Sequence, residues 1–196
     1  MQRGPERAPL TFVLLHGFGA RGDDLVSLAD ELVTRTPCRF VVPEAPLPMG
    51  PEGRAWYAIR AADEAAQIAR ARTAITGVIN TVVGTGVARS RIVVGGFSQG
   101  GIMSIEAALV TPGLAGIAVL SGRSLPHAAA DYHELPGLRV FASHGRQDSR
   151  IAIAQGEAFM DQASAAGAVV ERVIFEGDHA IPPVVVNSLA TWLQAL

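Results

Sequence analysis

Gly96-Phe97-Ser98-Gln99-Gly100 lies between the apolar run Ile92-Val93-Val94 and the helically spaced stretch Ile102 to Leu109. A β-branched run before the motif and a helical pattern after it describe a strand, a sharp turn and a helix. The glycines flank the serine because such a turn has no room for side chains. Ser98 then stands at the tip of the turn as a candidate nucleophile. The helix behind it aims unpaired backbone N–H groups and the positive end of its dipole at the same point. Read alone, the motif also fits a glycine-rich turn whose serine merely caps a helix.

The rest of the chain repeats that unit. Leu10 to Leu15 is a continuous apolar run of the kind buried on both faces of a sheet, and it stops at His16-Gly17-Phe18-Gly19. Leu25, Leu28, Ala29, Leu32 and Val33 follow with helical spacing, then a strand at Arg39–Val42. Pro43, Pro46, Pro48 and Pro51 break up a long irregular loop that leads into Trp56-Tyr57. A helix is predicted over 61–83, strands over 117–120, 139–143 and 169–175, and helices over 153–166 and 182–196. Residues 123–136 show no period and read as a surface excursion. The predicted class is a single α/β domain over 10–196, with a mostly parallel sheet whose strands are too apolar for a wet face and a flexible leader over 1–9.

Composition narrows the chemistry. With 196 residues and 49% hydrophobic content the chain can bury one substantial core. No run reaches the roughly 18 apolar residues of a membrane span, and the polar first residues carry no signal-peptide core, so a cytoplasmic location is expected. All 16 basic residues are arginine, which excludes Schiff-base lysines, a P-loop lysine and a Ser-Lys pair. A net charge of −2 with scattered arginines argues for no nucleic-acid partner. The single Cys38 forms neither an internal disulfide nor a zinc pattern and reads as a buried strand residue. Neither a metal nor a cofactor is expected.

A serine hydroxyl needs a base, and the base needs an acid to hold its tautomer. Asp148 and His179 both follow predicted strands, so with Ser98 and His16 they gather on the rim where open sheets bind ligands. Individually, Asp148 also fits a turn or cap and His179 a loop histidine. Their order, Ser98 then Asp148 then His179, is that of α/β-hydrolases. The N–H groups for a developing oxyanion would come from Gln99 and the His16–Gly19 loop. His16 and His144, each before a glycine at a strand end, read as turn residues, and His127 and His133 fall in the unpatterned excursion.

Leu15-His16-Gly17-Phe18-Gly19, Pro46 with the loop to Trp56-Tyr57, Gly96 to Gly101, Leu120-Ser121-Gly122, His144-Gly145 with Asp148, and His179-Ala180-Ile181-Pro182 together resemble the phospholipase/carboxylesterase family, which includes the acyl-protein thioesterases. The resemblance implies an α/β-hydrolase fold with helices on both faces and little or no lid. It also implies a cofactor-free ester or thioester hydrolase with Ser98, Asp148 and His179 as triad and the N–H groups of Phe18 and Gln99 as oxyanion hole. Two departures border the cleft: Ala58 after the Trp-aromatic pair, where an acidic residue is common, and Ser149-Arg150 after Asp148, where a proline is common.

The expected substrate is a small-molecule ester or thioester with a small to medium acyl group, bound in an open cleft that Trp56, Tyr57 and Phe18 would wall, although these aromatics read equally well as core residues. Arg54, Arg123, Arg146 and Arg150 are predicted at the same rim. Their plain role is as solvated surface charges, and their sharper role is a preference for anionic substrates. The rival from another class is a noncatalytic ligand-binding protein that keeps the hydrolase fold.

Overall fold

The computed structural model describes residues 1–128 and 135–196, and in it strands and helices alternate as the apolar runs predict. The strands are β1 (Gln2–Arg3), β2 (Leu10–Leu15), β3 (Cys38–Val41), β4 (Leu47–Met49), β5 (Gly53–Ala55), β6 (Ile92–Phe97), β7 (Gly116–Leu120), β8 (Arg139–Gly145) and β9 (Val169–Phe175). The α-helices are α1 (Val26–Val33), α2 (Glu64–Gly84), α3 (Gln99–Val110), α4 (Ile153–Ala165) and α5 (Pro183–Gln194). One sheet runs in the order β1-β3-β2-β6-β7-β8-β9, parallel throughout except for β1 on β3.

This order places the site. From β2 the chain steps outward to β3, whereas from β6 it steps the opposite way through β7, β8 and β9. The reversal between β2 and β6 opens a crevice beyond their carboxyl ends, the position at which α/β sheets take ligands. Alternate residues of the strands feed two apolar layers, because side chains on a strand point to opposite faces in turn. Phe12, Leu14, Phe40 and Phe141 pack with α1 and α5 on one face. Val13, Leu15, Val94 and Val140 pack with α2, α3 and α4 on the other. Each helix therefore covers one face of a sheet that exposes little backbone. On the second face Arg72 of α2 also donates to the fully buried Glu106 carboxylate of α3 at 2.7 Å.

Four expectations need correction. The leader over 1–9 is not free at its start: Gln2 and Arg3 pair with Val41 and Phe40, and the terminal amine donates to the Val42 carbonyl at 2.8 Å. A polar dipeptide can do this because an edge position asks only for backbone hydrogen bonds. The proline-rich loop contains the β4–β5 hairpin, with Leu47 opposite Ala55, too short to show a period. β9 is not too apolar for water: its successive residues Glu171 and Arg172, which point to opposite faces, are both exposed, because the strand closes the sheet at its edge. The excursion is also not wholly superficial, since Leu125, Ala128 and Leu135 are buried in the core. His133 lies outside the described residues. Among the described residues no helix is long and apolar enough to cross a membrane.

Candidate active site

Ser98 sits between β6 and α3 with φ 56° and ψ −118°. A non-glycine residue in that region is strained and stays there only where its surroundings leave it no alternative. The surroundings here are the flanking glycines. A Cβ on Gly96 would lie 2.2 Å from the Leu15 carbonyl oxygen, and one on Gly100 would lie 2.0 Å from the same atom. The amino end of α3 is thus pressed against β2, which holds the turn closed. The Ser98 N–H donates to Leu120 O at 2.8 Å and its carbonyl accepts from Ile102 at 3.0 Å, so the backbone is held on both sides.

On the β8–β9 side, the side chains of Asp148 and His179 meet. His179 Nδ1 is 2.7 Å from Asp148 Oδ2, while Asp148 Oδ1 accepts from the N–H groups of Arg150 at 2.9 Å and Ile151 at 2.8 Å. Burial pushes the Asp148 carboxyl up, but the hydrogen bonds from His179, Ile151 and Arg150 together outweigh it and leave the group below its ordinary value. An ionised carboxylate only accepts, so the proton of neutral His179 lies on Nδ1 and the Nε2 lone pair is free. The imidazole rests against the Phe97 ring at a centroid distance of 4.6 Å. Asp178 ties the two loops together: its Oδ1 accepts from the N–H groups of Ser149 and His179, both at 2.7 Å, and its Oδ2 accepts from the Ser149 hydroxyl at 3.1 Å. Those bonds, led by the Ser149 N–H, hold its carboxyl below the ordinary range.

The β2 side is built from neutral groups. The Ala45 N–H donates to His16 Nε2 at 3.0 Å, which leaves the proton on Nδ1 to be donated to Gly17 O at 2.8 Å. Burial lowers the pKa of this imidazole. Gln99 is 2% exposed. Its Oε1 accepts from the Trp56 N–H at 2.9 Å and its Nε2 donates to Tyr57 O at 2.7 Å. Trp56 Nε1 in turn donates to His16 O at 2.9 Å. The loop these bonds secure passes close behind the serine: a Cβ on Gly17 would lie 3.5 Å from Ser98 Cβ. Among the described residues, neither the Phe18 N–H nor the Gln99 N–H donates to any acceptor.

A cavity of about 990 Å³ joins the two sides, and Ser98, His179, Phe18, Gln99 and Tyr57 all line it. Trp56 does not. It is 2% exposed and stands behind the wall, where its ring and backbone hold the His16 and Gln99 segments. Of the four rim arginines expected, Arg123 and Arg150 line the cavity, while Arg54 and Arg146 point to Glu44 and Glu176 elsewhere.

Four participants have side-chain roles that the sequence does not assign. The Gln99 side chain, Asp178 and Arg60, which also lines the cavity, are visible only in three dimensions. The fourth is His144, a buried side chain whose Nε2 donates to Ile151 O at 2.8 Å and lies 3.3 Å from Asp148 Oδ2. It braces the Asp148 turn from below. Its Nδ1 faces Gly156, where a Cβ would come within 2.3 Å.

A parallel sheet with a serine turn at its switch point, and an acid–histidine pair on the neighbouring strand ends, defines an α/β-hydrolase. Comparison with known proteins narrows the class. The phospholipase/carboxylesterase family model matches residues 2–196, and the chain belongs to that family of hydrolases. It is 30% identical over 179 residues to acyl-protein thioesterase 1 of Mycosarcoma maydis, covering 77% of this chain and 74% of the relative. With the protein of the same name from Emericella nidulans it shares 27% identity over 218 aligned positions, 94% of this chain and 89% of the relative. Among solved structures, esterase PE8 superposes with a TM-score of 0.88 at 23% identity, covering 100% of this chain and 97% of that one. A carboxylesterase from Mesorhizobium loti superposes with 0.83 at 21%, covering 97% and 90%. These structural likenesses establish the shared fold.

Proposed function

We propose that the protein hydrolyses carboxylic esters, and thioesters of the same size, of small to medium acyl groups through an acyl-enzyme on Ser98. The observation that carries this is the 2.7 Å Asp148–His179 pair opening onto the same cavity as the strained Ser98 turn. In this reading His179 Nε2 takes the hydroxyl proton as Ser98 Oγ attacks the acyl carbonyl carbon. Asp148 stabilises the imidazolium that results. The carbonyl electrons move onto oxygen, and the free N–H groups of Phe18 and Gln99 receive that oxyanion. As the tetrahedral centre collapses, His179 returns the proton to the departing alkoxide or thiolate. Water then attacks the acyl-enzyme by the same route and restores Ser98.

Tyr57 and Phe18 wall the acyl group in this reading, and Trp56 serves only to hold the wall. The test is release of p-nitrophenol from acetate, butyrate and octanoate esters by the native protein and by Ser98→Ala, without added metal. Turnover should fall on removal of Ser98 by about 10⁴-fold or more. Native protein inert toward these esters and toward a parallel thioester series would instead point to ligand binding without catalysis.

A further inference from the structure

The arginines of this chain divide by whether an acid reaches them. Arg54 and Arg146, although close to the rim in sequence, are spoken for by Glu44 at 3.9 Å and Glu176 at 2.8 Å. Arg60, Arg123 and Arg150 line the cavity and have no carboxylate partner among the described residues. Two acids also line it, and their positions matter. Glu64, at the start of α2, accepts from the backbone N–H of Arg60. Asp24 accepts from the Arg21 N–H at 2.6 Å and belongs to the loop after β2.

Arg123 and Arg150 follow β7 and β8, which lie on the far side of β6 from β2. The two guanidiniums therefore enter the cavity from the β7–β8 end, where the Asp148 carboxylate is already engaged by His179 and by the N–H groups of Arg150 and Ile151. That end also has an apolar floor in Ile102 and Ile151. Arg123 has one nitrogen on the Ser124 carbonyl at 2.9 Å, which orients the guanidinium, and among the described residues no carboxylate takes its other donors.

We infer that Arg123 and Arg150 bind the free carboxylate of an ester substrate that carries a second, unesterified acid group a few carbons from the scissile carbonyl. The inference rests on the hydrolase reading above and names the substrate class of that site. A guanidinium offers parallel N–H donors that match a carboxylate. The apolar floor accommodates the methylenes between the two carbonyls.

The test compares mono-p-nitrophenyl glutarate, an anion, with neutral p-nitrophenyl valerate. The native protein should favour the glutarate in kcat/KM. Arg123→Gln and Arg150→Gln should each reduce the glutarate-to-valerate ratio by about tenfold, through KM more than kcat. Arg123→Lys should restore part of the loss. Raising the salt to about 0.5 M should shrink the native preference, because exposed charges are screened. Arg54→Gln and Arg146→Gln, which remove equal charge outside the cavity, should leave the ratio where it was.

A ratio unmoved by both cavity substitutions, with valerate still turned over in a Ser98-dependent way, overturns this inference and leaves the hydrolase reading intact. If neither ester is turned over, the hydrolase reading has failed, and calorimetry of monomethyl glutarate with Ser98→Ala decides the binding claim. Binding weakened by adding Arg123→Gln supports the carboxylate site. No binding refutes it.

Discussion

The two walls that flank Ser98 are made of different chemistry. The β2 wall is a buried network of uncharged groups: imidazole His16, amide Gln99, indole Trp56 and the backbone between them. The β8–β9 wall is charged and closer to water, with two carboxylates and an imidazole sharing donors. Under the proposed mechanism the first must hold two N–H groups still and the second must exchange a proton. A neutral network keeps its geometry across the working pH range, whereas a base has to have its proton state within reach of that range.

The comparison breaks most sharply at Asp148. In Asp148→Asn the amide oxygen should stay on the Arg150 and Ile151 N–H groups, which turns the NH₂ toward His179. Nδ1 must then accept, the proton moves to Nε2, and the base is lost. We expect kcat on p-nitrophenyl butyrate to fall by about 10⁴-fold with an unchanged far-UV circular dichroism spectrum. A fall of less than tenfold would mean that His179 needs no acid partner.

Gln99→Ala tests the opposite wall. It strands the Trp56 N–H and the Tyr57 carbonyl inside the protein, at a cost of about 2–4 kcal/mol in unfolding free energy. Urea titration reads this directly. Its defect should be in stability first and in turnover second, the reverse of Asp148→Asn.

The pH dependence of stability sharpens the contrast without removing either wall. Burial holds the His16 pKa below the ordinary 6.5, so on acidification the unfolded chain binds a proton that the folded protein resists. This contribution is complete above pH 6.5 and drains as pH falls below it. Asp148 and Asp178 are held below the ordinary carboxylate value of 3.8, so their contribution is complete above that and is lost only in stronger acid. Thermal unfolding of His16→Gln should therefore show a flatter slope as pH falls below about 6.5 than the native protein. Asp178→Asn should flatten only the region below about pH 4. The smallest effect is expected at Phe18→Ala: the side chain is 42% exposed, and the group proposed to act is its backbone N–H. Stability should stay within about 0.5 kcal/mol, and turnover should change by only a few-fold.

The parts of this protein legible along the chain are those whose cause is local. β2 begins and ends where its apolar run does, because a strand buried on both faces writes itself as an unbroken run. The Ser98 turn is legible because glycine alone tolerates the approach of the Leu15 carbonyl on both sides. Edge elements were not legible. β1 and the β4–β5 hairpin are held by backbone pairing that any side chains permit. Trp56 shows the same limit at the site: an aromatic residue beside a cleft can line it or stand behind it, and only the hydrogen bond from its indole to His16 O decides.

By itself, the sequence determined the alternation of strands and helices, the sharp turn at Ser98, and the order in which Ser98, Asp148 and His179 leave the strand ends. Only the tertiary structure decided that Asp178 ties the two loops, that the Gln99 side chain holds the opposite wall, and which arginines face the cavity without an acid beside them. The physical reason is that periodicity and glycine placement report forces between residues close in the chain, while charge pairing and hydrogen-bond partners depend on the separation of groups in space.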